Sequence, residues 1–342
     1  MKIKHLVNKI QIISLILMLS LFGGCSKGEN EIIISLDNIN LTLDDFRYDI
    51  YLIETEGNSY DEYYRNQMDI SYWDYQYNGV TMRETAKNSI ITRVVMYEIL
   101  ADQAKKAGII LTNQEKNDDE KAVNDLLNSL SETERNSTGL NKDILTKTFH
   151  KLSLGDKYYM ELSKRFVIDE TSIRNSISID EYREYITECI YTATVSSKNK
   201  EIKPLDEAKQ KKAYERISTA LKQIHSGTDF QTIIKQDDTI SYYTRSFIYR
   251  DSTPEQIYRD KAILLSNGEY SDIVTTEFGH YIIHMVNNNS SARYEEAVKE
   301  AVKAEENRQF EMIYNQIKAE YSIVLNDEYW DSIVIGDKID NE

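Results

Sequence analysis

The stretch Leu264–Val286, LLSNGEYSDIVTTEFGHYIIHMV, constrains the fold of this chain more than any other segment. Asn267-Gly268 is a turn signal, and Ile273-Val274 and Tyr281-Ile282-Ile283 are β-branched or aromatic runs. Phe278-Gly279-His280 stands between the runs as a tight reversal, so the segment predicts helix end, turn, strand, turn, strand.

Reading outward from this hairpin gives the unit that it closes. Ile186–Val195 (ITECIYTATV) is β-rich, Lys198–Pro204 is a polar loop, and Leu205–Ser226 is a helix stopped by Gly227. A short helix around Phe230–Ile234, a strand across Ile240–Tyr249 and a helix from Pro254 to Leu265 complete it. The order β-α-(α)-β-α-β-β predicts an α+β domain of about 100 residues.

The N-terminal half reads as mainly helical. Glu31–Leu43 predicts one or two short strands around Asp37-Asn38, and Leu43–Ile53 opens a helical region. Thr81 and Glu84 form a capping box for a helix over Met82–Ala107 that stops at Gly108. Ala86, Ile90, Ile91, Val94, Val95, Ala101 and Ala104 give it a broad apolar face. Thr112-x-x-Glu115 caps another helix to about Ser131, and Asn141–Phe166 and Ser178–Tyr185 predict two more. Tyr51, Tyr60, Tyr63, Tyr64, Tyr72, Trp73 and Tyr75 crowd the segment 48–77. They read either as a groove for extended peptides or as an aromatic core with an exposed rim. Beyond the hairpin, Tyr294–Tyr321 predicts a helix, and Ser322–Ile335 a last strand with Trp330 nearby.

The first residues carry a basic stretch (Lys2, Lys4, Lys9), an apolar run from Ile10 to Phe22, and small residues at Gly23-Gly24. The run is shorter than the roughly 20 residues of a membrane-spanning helix. Leu21-Phe22-Gly23-Gly24-Cys25 resembles a bacterial lipobox, which implies a lipoprotein signal peptide over 1–24 and lipidation at Cys25; the alternative is a plain secretory signal with an incidental Cys. The formal charge is −16, and removal of 1–24 takes three Lys and no acid. So acidic a body, without a basic stripe, argues against a nucleic-acid partner. Besides Cys25 the only cysteine is Cys189, which leaves a mature lipoprotein no intramolecular disulfide.

The pattern L-x-x-G-E-x-S-x-x-V-x-T-x-F-G-x-x-I-I over Leu265–Ile283 resembles the closing hairpin of parvulin-type (PpiC, rotamase) peptidyl-prolyl isomerases. Gly227-Thr228-Asp229-Phe230 matches the same family's G-x-D-F. The whole layout resembles the PrsA/SurA group of extracytoplasmic foldases. That resemblance implies an α+β chain with a SurA-like helical chaperone domain over 25–185 and a parvulin-like domain over 186–288. A C-terminal helix and strand over 289–342 would pack back on the first domain. It further implies a lipid-anchored protein on the extracytoplasmic face of a bacterial, Gram-positive membrane. Its partners would be unfolded or partly folded exported polypeptides; a homodimer is compatible with the sequence.

A prolyl isomerase needs no cofactor, metal or nucleophile. It lowers a rotation barrier of roughly 18–20 kcal/mol with a dry pocket and hydrogen bonds suited to the twisted amide. Carrying the family motif across places Ile248, Tyr258 and Ile263 as the proline-binding pocket. It places Cys189, in Cys189-Ile190-Tyr191, at the first family histidine. Tyr281 stands at the second, because Gly279-His280-Tyr281-Ile282-Ile283 shifts the histidine by one position and so to the opposite strand face. The family's Gly-Gly-Asp-Leu-Gly loop is missing, with only Asp237-Asp238-Thr239 near it.

Other signals predict less. His280 and His284 lie roughly 13 Å apart on a strand, too far to share a zinc ion, and read as an exposed strand face. His150 and His225 read as isolated side chains on polar helix surfaces. No motif supplies a base for a Cys189 thiolate. Three functions remain open from sequence: a foldase with weak isomerase activity, a non-catalytic peptide-binding holdase or assembly factor, and a solute-binding lipoprotein.

Overall fold

The computed structural model describes residues 31–198 and 201–337. The leader 1–24 and Cys25 lie outside the described residues. The described residues form two compact units, one running up to residue 161 and again from 316, the other over 162–315. The class is α+β.

The first unit starts with strands β1 (Ile32–Leu36) and β2 (Ile39–Thr42), paired antiparallel around Asp37. Thr42 then caps helix α1 (Leu43–Met68), with its N–H donating to Asp45 Oδ2 at 3.0 Å. A 3-10 turn at Tyr72–Asp74 and the short hairpin β3 (Gln76–Tyr77) and β4 (Val80–Thr81) lead into α2 (Met82–Lys106). The Thr81/Glu84 capping box forms as the sequence predicts, and Gly108 follows the helix end with φ +73°. Helices α3 (Asn113–Ser129), α4 (Glu132–Thr138) and α5 (Lys142–Ser163) follow. Val123, Leu130, Leu140 and Leu145 form a buried cluster, with Tyr48, Tyr51 and Phe149 packed on its edge.

A cluster of opposite charges lies inside this unit. Lys151 Nζ is 3.2 Å from Asp45 Oδ1 and 2.5 Å from Glu98 Oε2, and Lys147 also reaches Asp45 at 2.8 Å. Burial alone would favour neutral forms. The pairing wins, holding the Asp45 carboxyl below and the Lys151 amine above their ordinary values.

The second unit continues with α6 (Glu170–Ser176), capped by Asp169, and then a long strand β5 (Glu184–Ala193). The helix expected over Ser178–Tyr185 does not form. Glu184 and Tyr185 instead pair with Ile248 and Phe247, and the Tyr185 and Phe247 rings stack at 5.6 Å. Tertiary pairing overrides local propensity here. The polar loop expected over Lys198–Pro204 is likewise an antiparallel pair, β6 (Val195–Lys198) and β7 (Glu201–Pro204). Pro204 takes an end rung opposite Val195, where its missing N–H costs no interior ladder bond.

Helices α7 (Glu207–His225) and α8 (Phe230–Gln236), strand β8 (Ser241–Ile248), helix α9 (Gln256–Ala262) and strands β9 (Val274–Thr275) and β10 (Gly279–Ser290) complete the sheet domain. The strand order is β8-β5-β10-β9, antiparallel throughout. The Gly-x-Asp-Phe motif has a physical role at the α7–α8 joint. Gly227 turns the chain at φ +92°, Asp229 accepts from the Thr232 N–H at 2.8 Å, and Phe230 enters the core. Helix α10 (Ala292–Lys318) follows, and the division between the units falls within it.

The tail completes the first unit. Strand β11 (Ile323–Leu325) pairs antiparallel with β1 and makes the sheet β11-β1-β2. The strand expected over Ser322–Ile335 is only these three residues, because Asn326 accepts from the Tyr329 N–H and caps helix α11 (Asp327–Ser332). That turn seats Trp330 against Phe46, with ring centroids 5.1 Å apart.

Candidate functional site

The site grows from strand alternation in the four-stranded sheet. One face carries Ile190 and Ile282, which pack with Ile217, Ala220 and Ile224 of α7 and with Phe230 and Ile233 of α8. The opposite face carries Cys189, Phe247, Tyr281, Ile283 and Met285. Helix α9 covers part of this second face with Tyr258 and Ala262, and the chain just beyond it adds Ile263 and Leu265.

The register brings the predicted residues together. Cys189 pairs with Ile283 on β10 and with Tyr243 on β8, and Tyr281 pairs with Tyr191. Tyr258 is fully buried, its hydroxyl 2.9 Å from Thr187 Oγ1. The Tyr191 and Tyr281 rings lie 4.6 Å apart, and Tyr258 meets Tyr281 edge-on at 5.4 Å. The Tyr281 hydroxyl donates to Glu255 Oε1 at 3.0 Å, and the Tyr191 hydroxyl donates to the Phe278 carbonyl at 2.7 Å. Gly279 is required at the mouth of the hairpin: a Cβ there would come within 2.3 Å of the Thr192 carbonyl and 2.4 Å of the Tyr191 ring. Tyr191 and Arg245 are half-buried and Tyr243 exposed, so the open rim of this face is tyrosine and arginine above a closed apolar floor.

Ile248 needs correction. It is buried, but its strand position has the parity of Tyr242 and places it away from Cys189 and Tyr281; Phe247 is the β8 residue in their cluster. Its N–H is held by Asp251 at 3.0 Å. His280 also departs from expectation: it is only 8 % exposed, not on an open strand face. Its Nδ1 is 2.9 Å from Thr275 Oγ1, its ring meets Tyr214 edge-on, and burial pushes its pKa down. His284 is half-buried and stacks on Tyr270 with centroids 4.4 Å apart. His150 is half-buried too, 3.9 Å from Asp119.

Burial raises the pKa of the Cys189 thiol, opposed only in part by Tyr258 and the Arg245 guanidinium. A thiol so held is no ready nucleophile. Burial likewise pushes the hydroxyls of Tyr258 and Tyr281 well above the usual phenol range, Tyr281 with Glu255 adding to the effect. Both stay protonated, and both are already engaged, Tyr281 with Glu255 and Tyr258 with Thr187. Such a face offers tyrosine ring surface at its rim and the Arg245 guanidinium beside it, which suits noncovalent binding of a peptide.

Arg245, Tyr191, Tyr243, Phe247 and Glu255 belong to this face and were not singled out from sequence. Counting every second residue back from Phe247 gives Arg245 and Tyr243, so the signal was present in the strand period.

The tyrosine-rich segment of the first unit forms a connected array. Tyr64 meets both Tyr72 and Tyr75, and Tyr60 meets Tyr72, at centroid distances of 5.0–5.5 Å. Trp73 is buried and donates to Asn58 Oδ1 at 2.8 Å, whereas Tyr60, Tyr63 and Tyr77 remain exposed. A packed core with an aromatic rim results. No helix among the described residues is long and apolar enough to cross a membrane.

No protein-family model matches the chain, and no curated protein matches it. Among solved structures it is similar over most of its length to PrsA/SurA-like foldases and chaperones. One is among the structurally related SurA-like chaperones PEB4 and Cj1289 of Campylobacter jejuni, at 13% identity and a TM-score of 0.33, covering 86% of this chain and 99% of that one. Another is PrsA from Bacillus subtilis, at 14% identity and a TM-score of 0.24, covering 88% and 97%. The foldase PrsA from Lactococcus lactis has 12% identity and a TM-score of 0.30, covering 89% and 97%.

Proposed function

We propose that this protein is an extracytoplasmic foldase that binds exported, partly folded polypeptides. The tyrosine-rimmed face of the β8-β5-β10-β9 sheet is the observation that carries the reading. A closed floor of Cys189, Phe247, Tyr258 and Tyr281 beneath a polar aromatic rim suits a proline ring and its flanking backbone. The exposed tyrosines of the first unit supply further apolar area for a client held in extended form. We take the helical part over 25–185, the parvulin-like part over 186–288 and the returning segment over 289–342 as the working divisions. The leader motif supports lipidation at Cys25 and anchorage on the outer face of a Gram-positive membrane.

Cys189 and Tyr281 at the family's histidine positions favour a second form of the reading, in which the sheet domain binds peptide and isomerises it weakly or not at all. One experiment separates the forms. The intact protein is tested for suppression of aggregation of an unfolded client and for acceleration of cis–trans exchange in a proline peptide. Suppression without acceleration is the expected result. Failure to suppress aggregation or to bind the peptide overturns the foldase reading. A co-purifying small ligand would favour a solute-binding lipoprotein instead.

A further inference from the structure

Glu56, Tyr60, Tyr63 and Tyr64 stand at i, i+4, i+7 and i+8 on α1 and so share one helix face. Tyr72 and Tyr75, from the turn beyond the helix, pack on its rings. Tyr72 lies 5.5 Å from Tyr60 and 5.4 Å from Tyr64, and Tyr75 lies 5.0 Å from Tyr64. Tyr60 and Tyr63 are 39 % and 60 % exposed, and Tyr64, Tyr72 and Tyr75 are half-buried. The rings brace one another while leaving ring surface in solvent, so a ligand binding there orders few side chains.

The charges around this array are one-sided. Residues 54–77 carry six carboxylates and one basic side chain, Arg65, which is bound to Asp61. Elsewhere in this unit cations settle on rings: Arg93 over Tyr97, Lys106 over Tyr321 and Lys87 over Trp330, at 4.7–5.5 Å. Among the described residues no Lys or Arg lies over the five tyrosines of the array, and Glu56 makes no ion pair. Burial, with Glu56 and the neighbouring hydroxyls adding to it, pushes Tyr72 up to about 12. Its phenol therefore stays neutral, and Glu56 is the anion of the face.

We infer that this face is a docking surface for basic segments of a bound polypeptide, with Lys and Arg side chains laid on the tyrosine rings and Glu56 as their counter-charge. The inference rests on the client-binding function proposed above and names the class of client. A cation over a tyrosine face is attracted by the ring quadrupole, and a carboxylate beside it strengthens the attraction. Ring spacing selects a pattern. Along an extended chain, side chains on one side recur about every 6.6 Å, near the 5.0–5.5 Å steps between these rings. Basic residues at alternate positions therefore meet successive rings. The net charge of −16 draws such segments toward the protein but favours no one face, and the rings supply the place.

The test uses the intact protein and peptides Ser-X-Ser-X-Ser-X-Ser in which X is Lys, norleucine or Glu, with binding followed by calorimetry. In about 0.5 M salt, screening acts over roughly 4 Å, which removes the long-range field and leaves contact attraction. Norleucine keeps the lysine stem without its charge and so reports the apolar contribution alone. The Lys peptide is expected to bind about tenfold more tightly than the norleucine peptide, with Glu weakest. Tyr60→Leu with Tyr63→Leu keeps apolar area at two exposed positions and removes their aromatic faces, so it should erase the Lys preference. Glu56→Gln should reduce it. A Lys preference that survives in the double variant, its fold checked by circular dichroism, overturns the role of the array. The Lys–norleucine comparison on the unaltered protein stands whatever a variant does. Equal binding of those two peptides overturns the selection of cations and leaves client binding standing. If no peptide binds, the inference fails, and suppression of client aggregation then decides the foldase reading separately.

Discussion

Cys189 and Tyr281 are diagonal neighbours on one face of the sheet, since Cys189 pairs with Ile283 and Tyr281 with Tyr191 two residues away on the same strand. Diagonal neighbours stand roughly 7–8 Å apart, within reach of a single bound proline. Both side chains are buried, but the Tyr281 hydroxyl is anchored by Glu255, on the approach to α9, whereas Cys189 sits among apolar and aromatic side chains. The two positions therefore differ in what they can offer. Tyr281 brings an aromatic ring whose hydroxyl is committed to Glu255, and Cys189 brings only polarizable bulk.

Removing the Tyr281 hydroxyl tests how far that anchor organises the rim. Tyr281→Phe leaves the ring contacts to Tyr191 and Tyr258 in place and leaves Glu255 with Thr276 at 3.5 Å. The expected loss is about 1 kcal/mol of stability, read as a lower urea midpoint with unchanged slope. An unchanged midpoint would mean that water replaces the phenol at no cost.

The Lys151 cluster predicts a much larger effect in the first unit. Lys151→Met strips the buried carboxylates of Asp45 and Glu98 of their shared cation, leaving Asp45 with Lys147 and the Thr42 N–H. A loss of about 3 kcal/mol or more is expected in chemical denaturation. Adding Glu98→Gln should recover part of it, because a neutral amide costs less to bury than an unpaired charge. Linkage gives the pH dependence. The Asp45 pKa is depressed in the fold, so its contribution is present above its unfolded value of about 3.8 and is lost as pH falls through the folded value.

Much of this arrangement was legible in the sequence because it is written in local signals. The Thr81/Glu84 box, the Gly227 stop and the Gly279 hairpin are short-range devices, and each appears where the residues place it. What failed depended on partners far along the chain. Tyr185 is a strand residue because Phe247 is there to stack on it, and Trp330 ends a helix turn because Phe46 waits beneath it. Ile248 was misplaced by one residue, which in a strand inverts the face.

His280 provides a pH-dependent test on the helix-covered face. Burial depresses its pKa below the ordinary 6.5, so the unfolded chain takes up the proton first. Stability contributed by neutral His280 is therefore complete above pH 6.5 and declines as pH falls through the folded value. His280→Gln should flatten this part of the stability curve between about pH 7 and pH 5, measured by urea unfolding at each pH. A variant that keeps the full slope would place the acid sensitivity on other groups.

The last prediction concerns what two histidines would restore. Catalysis of prolyl rotation requires groups that favour the twisted amide over the planar one, whereas binding requires only complementary surface. Cys189 and Tyr281 supply ring area, a protonated hydroxyl and a protonated thiol, and burial holds both groups in their neutral forms. Replacing both, as Cys189→His with Tyr281→His, should raise cis–trans exchange of a proline peptide above that of the unaltered protein, whose rate is expected to stay close to the uncatalysed tens to hundreds of seconds. The substitution at 189 carries a cost: an imidazole exceeds the space left by a thiol among Phe247, Tyr258 and Met285, and overpacking takes about 1–3 kcal/mol. Tyr281→His alone avoids that cost and frees Glu255 from its phenol, so the single variant separates a folding defect from a catalytic one. Exchange should rise in the order unaltered protein, Tyr281→His, double variant, with client holding unchanged throughout. An unaltered protein that already accelerates exchange as a histidine-bearing parvulin does would show that Cys189 and Tyr281 suffice, and the domain would then be an ordinary isomerase.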